Sequence, residues 1–164
     1  MPLSAHCPAP AKINLALHVT GQTADGYHAL ESLVAFCLPA DELSLEIVQG
    51  SSAVSLETGG PFAPALDRGD NLILKAAALL EERFPDAFRD AGSIRFTLEK
   101  NLPVASGIGG GSADAAAALL LLRAALGLAI HDDDLAAIGA ELGADVPMCL
   151  SSSPLIARGT GTEI

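Results

Sequence analysis

An α+β fold is what this sequence predicts, on three observations. Alternating strands open the chain, a strand in its middle runs into a glycine-rich loop and a long apolar helix, and further helical stretches flank that unit. Hydrophobic residues make up 50% of the 164 and aromatics only 4%, so the core has to be built from Ala, Leu, Ile and Val packed closely across element faces. The length suits one compact domain.

From Ala11 to Thr20, AKINLALHVT alternates, with Ile13, Leu15, Leu17 and Val19 on one side of a half-buried strand and Lys12, Asn14, Ala16 and His18 opposite. A turn at Ala24, Asp25 and Gly26 leads into YHALESLVAFCL and, after Pro39, into DELSLEIV, where Leu43, Leu45 and Ile47 alternate again. Gly50 to Gly69 is rich in Gly, Pro and Ser and reads as a mobile loop, apart from a short strand-like VSLE. Asp70 or Asn71 can cap the next helix, whose stripe of Leu72, Ala76, Leu79 and Leu80 ends near Phe84. SIRFTLEK, residues 93 to 100, makes a strand and runs into NLPVASGIGGGS and the helical ADAAAALLLLRAALG. Asp132 to Asp134 cap a further helix ending near Gly143, and the segment from Gly143 to Ile164 suggests a turn and two short strands.

Composition excludes several classes. Twenty acidic against nine basic side chains give a net charge of -11, with no local basic cluster, so a nucleic-acid partner is not expected. No apolar stretch reaches membrane-spanning length, and no leader pattern opens the chain, so neither a membrane anchor nor a signal peptide is expected. Cys7, Cys37 and Cys149 lack zinc or redox spacing and fit free thiols in a reduced cytoplasm.

An acidic chain that binds a phosphate must hold it with backbone N–H dipoles and one or two placed lysines. The segment Pro103 to Ala116 offers that site: Gly107, Gly109, Gly110 and Gly111 stand just before Ser112 and a long apolar helix. Without Cβ atoms the backbone can approach a polyphosphate, and the helix dipole adds partial positive charge. No Gly-Lys-Ser/Thr follows, and Ser112 stands where a third dinucleotide-fold glycine should be, so the two better-known phosphate loops are excluded.

With these residues in view, the loop resembles that of the galactokinase, homoserine kinase, mevalonate kinase and phosphomevalonate kinase (GHMP) superfamily. PAKINLALHVTGQTADGYH at Pro10 to His28 and GADVP at Gly143 to Pro147 narrow the resemblance to its 4-diphosphocytidyl-2-C-methyl-D-erythritol kinase family. That likeness implies an amino-terminal GHMP domain over 1–164, with a mixed, mostly antiparallel sheet, helices packed on one face and a left-handed βαβ crossover. It implies ATP and Mg²⁺ as cofactors. The implied small-molecule substrate is 4-diphosphocytidyl-2-C-methyl-D-erythritol, phosphorylated on its 2-hydroxyl in the non-mevalonate isoprenoid pathway.

By the same resemblance, Asp145 accepts the hydroxyl proton and Lys12 orients and polarises that hydroxyl, a pairing that suits phosphoryl transfer. The ATP-binding set is Pro103, Val104, Ala105, Ser106, Gly107, Ile108, Gly109, Gly110, Gly111, Ser112 and Ala113, with Lys100 and Asn71 beside it. Asn14, Tyr27 and His28 match substrate positions, Tyr27 and His28 as a cytidine pocket. Ser112 either caps the helix or reaches a phosphate oxygen or metal-bound water.

Ala105 and Ser106 depart from the family's glycines, which narrows the loop's freedom. Relatives continue for roughly another hundred residues into a second α/β domain, so the chain is expected to stop short of it and to be inactive alone. Two alternatives stay open: another GHMP-type alcohol kinase of the mevalonate or homoserine class, and a non-catalytic nucleotide-binding module.

Overall fold

The computed structural model describes residues 3–22, 28–50, 52–67 and 71–159, with His28 by its backbone alone. In chain order the elements are β1 (Leu3–Gln22), β2 (His28–Val48), β3 (Val54–Gly59), a 3-10 turn (Ala63–Ala65), α1 (Leu72–Arg83), α2 (Pro85–Ala91), β4 (Ser93–Glu99), α3 (Gly110–Ala125), α4 (Asp132–Leu142), α5 (Val146–Ser151) and β5 (Leu155–Gly159). The sheet runs β1-β2-β4-β3, and β5 also pairs with β2. β2 is long enough to carry β1 along one edge and both β4 and β5 on the other. Only β3 and β4 are parallel, joined by a crossover through α1 and α2, so the sheet is mixed and mostly antiparallel.

Alternation sets which face is covered. Along β4, Ile94, Phe96 and Leu98 are buried while Arg95, Thr97 and Glu99 are exposed. Cross-strand neighbours Leu43 and Leu45 of β2 extend the apolar face, and α1 and α3 pack on it through Ile73, Ala76, Leu80 and an almost unbroken buried run from Ala113 to Leu122. The alanines of α3 leave little side-chain bulk, so neighbours close in around the helix and bury most of its circumference. The opposite sheet face is polar, with Ser44, Glu46, Arg95 and Thr97 around a shallow groove.

The structure departs from the sequence expectations in several places. β1 begins at Leu3, and its register on β2 shifts between Asn14 and Ala16. One unpaired residue reverses the facing of everything beyond it. Lys12 and Asn14 therefore share a face with Leu17 and Val19, which lie opposite Ser32 and Leu30. Leu15, Leu17 and Val19 are exposed, while Lys12 is buried, the reverse of the expected half-buried strand.

Pro39 does not divide two strands: β2 runs through it, with Leu38 and Pro39 bulged out between the partners of Ala11 and Pro10. The Gly50–Gly69 stretch contains a full parallel strand, β3, and the 3-10 turn. Pro85 opens the unexpected helix α2, whose Phe88 is buried in the core. VPMCLS is a helix and not a strand, started by Pro147 in its first turn, where a missing N–H costs nothing. Only β5 follows it among the described residues. Asn71 caps α1 as expected, whereas Asp132 to Asp134 fill the first turn of α4 and His131 holds the cap position. The turn at Ala24 to Gly26 and Asp70 lie outside the described residues.

Two substitutions test this core. Phe96→Ala, at a side chain only 1% exposed, should lower unfolding free energy by about 3–5 kcal/mol in urea titrations. Leu17→Ser on the exposed part of β1 should change it by less than about 0.5 kcal/mol.

Candidate active site

The glycine loop forms one wall of a cleft of about 350 Å³, lined by the continuous segment 103–112 with Asn71, Lys100 and Asp114. Ala105, Gly107 and Gly109 all have positive φ, which turns the chain sharply between β4 and α3. Ser106 Oγ closes the turn on the Pro103 carbonyl at 2.8 Å. Gly109 takes the N-cap of α3 in left-handed conformation, and no side chain caps the helix. The N–H groups of residues 110–112 thus lie uncapped at the positive end of a 16-residue helix. Ser112 stands inside the first turn and not at the cap, which corrects the capping alternative and leaves its exposed hydroxyl beside the cleft.

β1 is stitched to this loop. The backbone N–H of Lys12 donates to the Ile108 carbonyl at 2.8 Å. A Cβ on Gly109 would stand 3.1 Å from the Lys12 Cβ, so only glycine lets the loop lie on the lysine stem. Lys12 Nζ reaches Asp145 Oδ1 at 3.2 Å, the ammonium end almost wholly buried and the carboxylate 40% exposed. It also approaches Asn14 Oδ1 at 3.4 Å. Behind Asp145, burial and then the neighbouring carboxylate push the Cys149 thiol up to about 12, so it stays protonated.

Beneath the loop lies a cluster of buried charges. Lys100 Nζ donates to Asp41 Oδ2 at 2.6 Å and to Asp114 Oδ2 at 2.5 Å. Asp41 Oδ1 accepts from the Asn101 and Leu102 N–H groups at 2.6 and 2.7 Å. Asp114 Oδ1 is buried without a partner. Burial pushes the Asp114 carboxyl up to about 7, Asp41 adds to that, and Lys100 pulls part of the way back.

The structure thus gathers Lys12, Asn14 and Asp145 beside Gly109, and Asn71, Lys100 and residues 103–112 around the cleft. Ala113 lies behind the loop, its N–H bonded to the Gly109 carbonyl at 2.9 Å. Tyr27 and the His28 side chain lie outside the described residues. Sequence reasoning missed Asp41 and Asp114. A lone acid inside the ADAAAALLLL run, on a helix with no polar face to carry it, was the available signal for Asp114. Asp41 looked like an ordinary residue after Pro39.

An uncapped helix start behind a glycine loop, on a mixed sheet with one covered face, defines a class of phosphate-binding domain. Residues 71–153 match the family model for the GHMP kinases N terminal domain, and the chain belongs to that family. Among particular proteins, it is 51% identical over 162 residues to the 4-diphosphocytidyl-2-C-methyl-D-erythritol kinase of Chelativorans sp. (strain BNC1), covering 99% of this chain and 54% of that one. It is 54% identical over 157 residues to the enzyme of the same name from Rhodopseudomonas palustris, covering 95% of this chain and 50% of the relative. A crystal structure of 4-(cytidine 5'-diphospho)-2C-methyl-D-erythritol kinase superposes with a TM-score of 0.78 at 38% identity, covering 97% of this chain and 53% of that one. The chain spans about half the length of the curated relatives it matches. Among the described residues no helix is long and apolar enough to cross a membrane.

The raised carboxyl sets a pH dependence. Asp114 binds its proton up to about 7 when folded, whereas an unfolded aspartate releases it near about 4. Its contribution to stability is therefore complete below the lower value and is lost as pH rises through the upper one. The stability difference between the unaltered chain and Asp114→Asn should shift against the unaltered chain between pH 5 and about 7.5 and level off beyond, in urea titrations.

Proposed function

We propose that this chain is the nucleotide-binding part of a cytoplasmic enzyme that transfers the γ-phosphoryl group of ATP to the 2-hydroxyl of 4-diphosphocytidyl-2-C-methyl-D-erythritol, in the non-mevalonate route to isoprenoids. The observation that carries the reading is the 3.2 Å pair of Lys12 Nζ and Asp145 Oδ1 held directly against the glycine loop. An alcohol must lose a proton and meet a phosphorus in line, and both needs are met where an exposed carboxylate stands beside a phosphate-binding helix start.

In this reading the N–H groups of residues 109–112 hold the triphosphate, and Asn71, at the head of α1, stands on the adenine side of the cleft. Asp145 accepts the hydroxyl proton. Lys12 supplies positive charge to the reacting oxygens, its stem fixed by the loop and its strand N–H by Ile108. Tyr27 and His28 receive the cytidine, and Asn14 the acceptor's polar groups. The curated relatives' shared name supports the choice of substrate.

Mg²⁺ fits as an ion brought in by ATP. The cleft lining contains no His or Cys, and its side-chain donors include oxygen ligands of the kind this hard cation takes. The Ser112 hydroxyl is the loop's own candidate to complete its shell, which phosphate oxygens and water otherwise fill. The ion neutralises charge on the β- and γ-phosphates when bound.

In the full-length context that the relatives have, Asp145→Asn should lower turnover by at least about 10²-fold while ATP affinity, read by calorimetry, stays nearly unchanged. Retained turnover removes Asp145 as the base, and turnover on mevalonate or homoserine in its place redirects the substrate assignment. Gly110→Val should weaken ATP binding, because its Cβ would press to 3.2 Å of Lys100 Nζ and its methyls would fill the phosphate approach. Unchanged nucleotide affinity contradicts the loop's role.

A further inference from the structure

Five polar or charged residues are buried among the described residues: Lys12, Ser32, Asp41, Lys100 and Asp114. Four belong to the two ionic groupings already described. Ser32, on β2 and 6% exposed, belongs to neither and has no part in the mechanism so far. It lies where the register of β1 slips: Ser32 sits opposite Leu17, and the shift between Asn14 and Ala16 brings both of those residues within reach of its hydroxyl. Ser32 Oγ stands 3.1 Å from Asn14 Oδ1 and 3.0 Å from the Ala16 carbonyl. Both neighbours are acceptors and a serine hydroxyl has one proton, so the donation is shared between them.

Asn14 Oδ1 is also the atom nearest the Lys12 ammonium, at 3.4 Å. With that oxygen held by Ser32 and facing Lys12, planar amide geometry sends Nδ2 the other way, and Asn14 is exposed. Without the serine hydroxyl, the broad two-fold torsion of an asparagine amide leaves little to choose the oxygen over the nitrogen, and a reversed amide would set its N–H donors against the ammonium.

We infer that Ser32 is a positioning residue: locked into the β1 bulge by the Ala16 carbonyl, it orients the Asn14 amide so that Oδ1 faces Lys12 and Nδ2 is presented to the alcohol acceptor. This rests on the proposed alcohol-kinase reading, and it adds a residue that touches neither substrate nor nucleotide. The nucleotide is held across the loop from Asn14, so Ser32 acts on the acceptor alone.

The test has two arms. In the full-length context, Ser32→Ala should raise the acceptor KM about fivefold to tenfold, the loss of one oriented hydrogen bond, and leave the ATP KM within about twofold. Ser32→Thr, which keeps the hydroxyl on a strand-compatible side chain, should restore the acceptor KM. Ser32→Ala should add nothing in an Asn14→Ala background. A purely structural role would instead move both KM values together, or act additively with Asn14→Ala, and either result overturns the inference.

The second arm does not depend on the substrate. In the ¹⁵N-labelled chain without ligand, the Asn14 side-chain amide signals should move in Ser32→Ala and stay in place in Ser32→Thr. Unmoved signals in Ser32→Ala overturn the inference whatever the enzyme phosphorylates. An unaltered enzyme that phosphorylates no alcohol defeats the functional reading by itself, and the amide signals then decide the role of Ser32.

Discussion

A lysine buried between two carboxylates fixes the geometry on which the site depends. Lys100 sits at the end of β4 and is 2% exposed, with Asp41 of β2 on one side and Asp114 of α3 on the other. Asp41 also takes the two N–H groups of residues 101 and 102. Three elements distant in sequence are thus tied at one point, which is where the chain leaves the sheet for the loop. A buried ionic cluster of this kind is a weak source of net stability, yet removing one partner costs about 3–5 kcal/mol, because it strands a charge. Its use here is directional: it sets where β4 ends relative to where α3 begins.

The loop between those ends is short and sharply turned, with Ala105 tolerating a positive φ that glycine would adopt freely. Its departure from the family's glycines leaves the fold of the loop intact, since the turn is closed by Ser106 on Pro103 and by Lys12 on Ile108. The same two-sided anchoring reconciles a net charge of -11 with anion binding. Field from the helix start and uncapped N–H groups act within the first turn, where screening and the surrounding acids have least effect. Lys12 adds a charge whose stem the loop itself covers.

Much of the fold was legible because its signals are local. The strand, glycine loop and apolar helix from Ser93 to Ala125 appear where spacing put them, and Asn71 caps α1 as its side chain allows. The failures came from tertiary and register effects. A one-residue bulge at Leu15 reverses the facing of the rest of β1, and no alternation pattern can show where a ladder slips. VPMCLS looked like a strand because short apolar runs do not separate helix from strand by period. For the site, the glycines and the two signature segments were readable in sequence. Asp41, Asp114 and Ser32 were not, because each acquires its meaning from a partner 14 to 61 residues away.

The central physical claim is that backbone amides, and not a basic side-chain cluster, receive the phosphates. Titrating the ¹⁵N-labelled chain with a non-hydrolysable ATP analogue and following each amide resonance tests it directly. Binding at the loop predicts that the largest shifts fall on Gly109, Gly110, Gly111 and Ser112, with smaller ones at Asn71. Unmoved loop amides, with shifts instead on the polar sheet face around Ser44, Arg95 and Thr97, would contradict it.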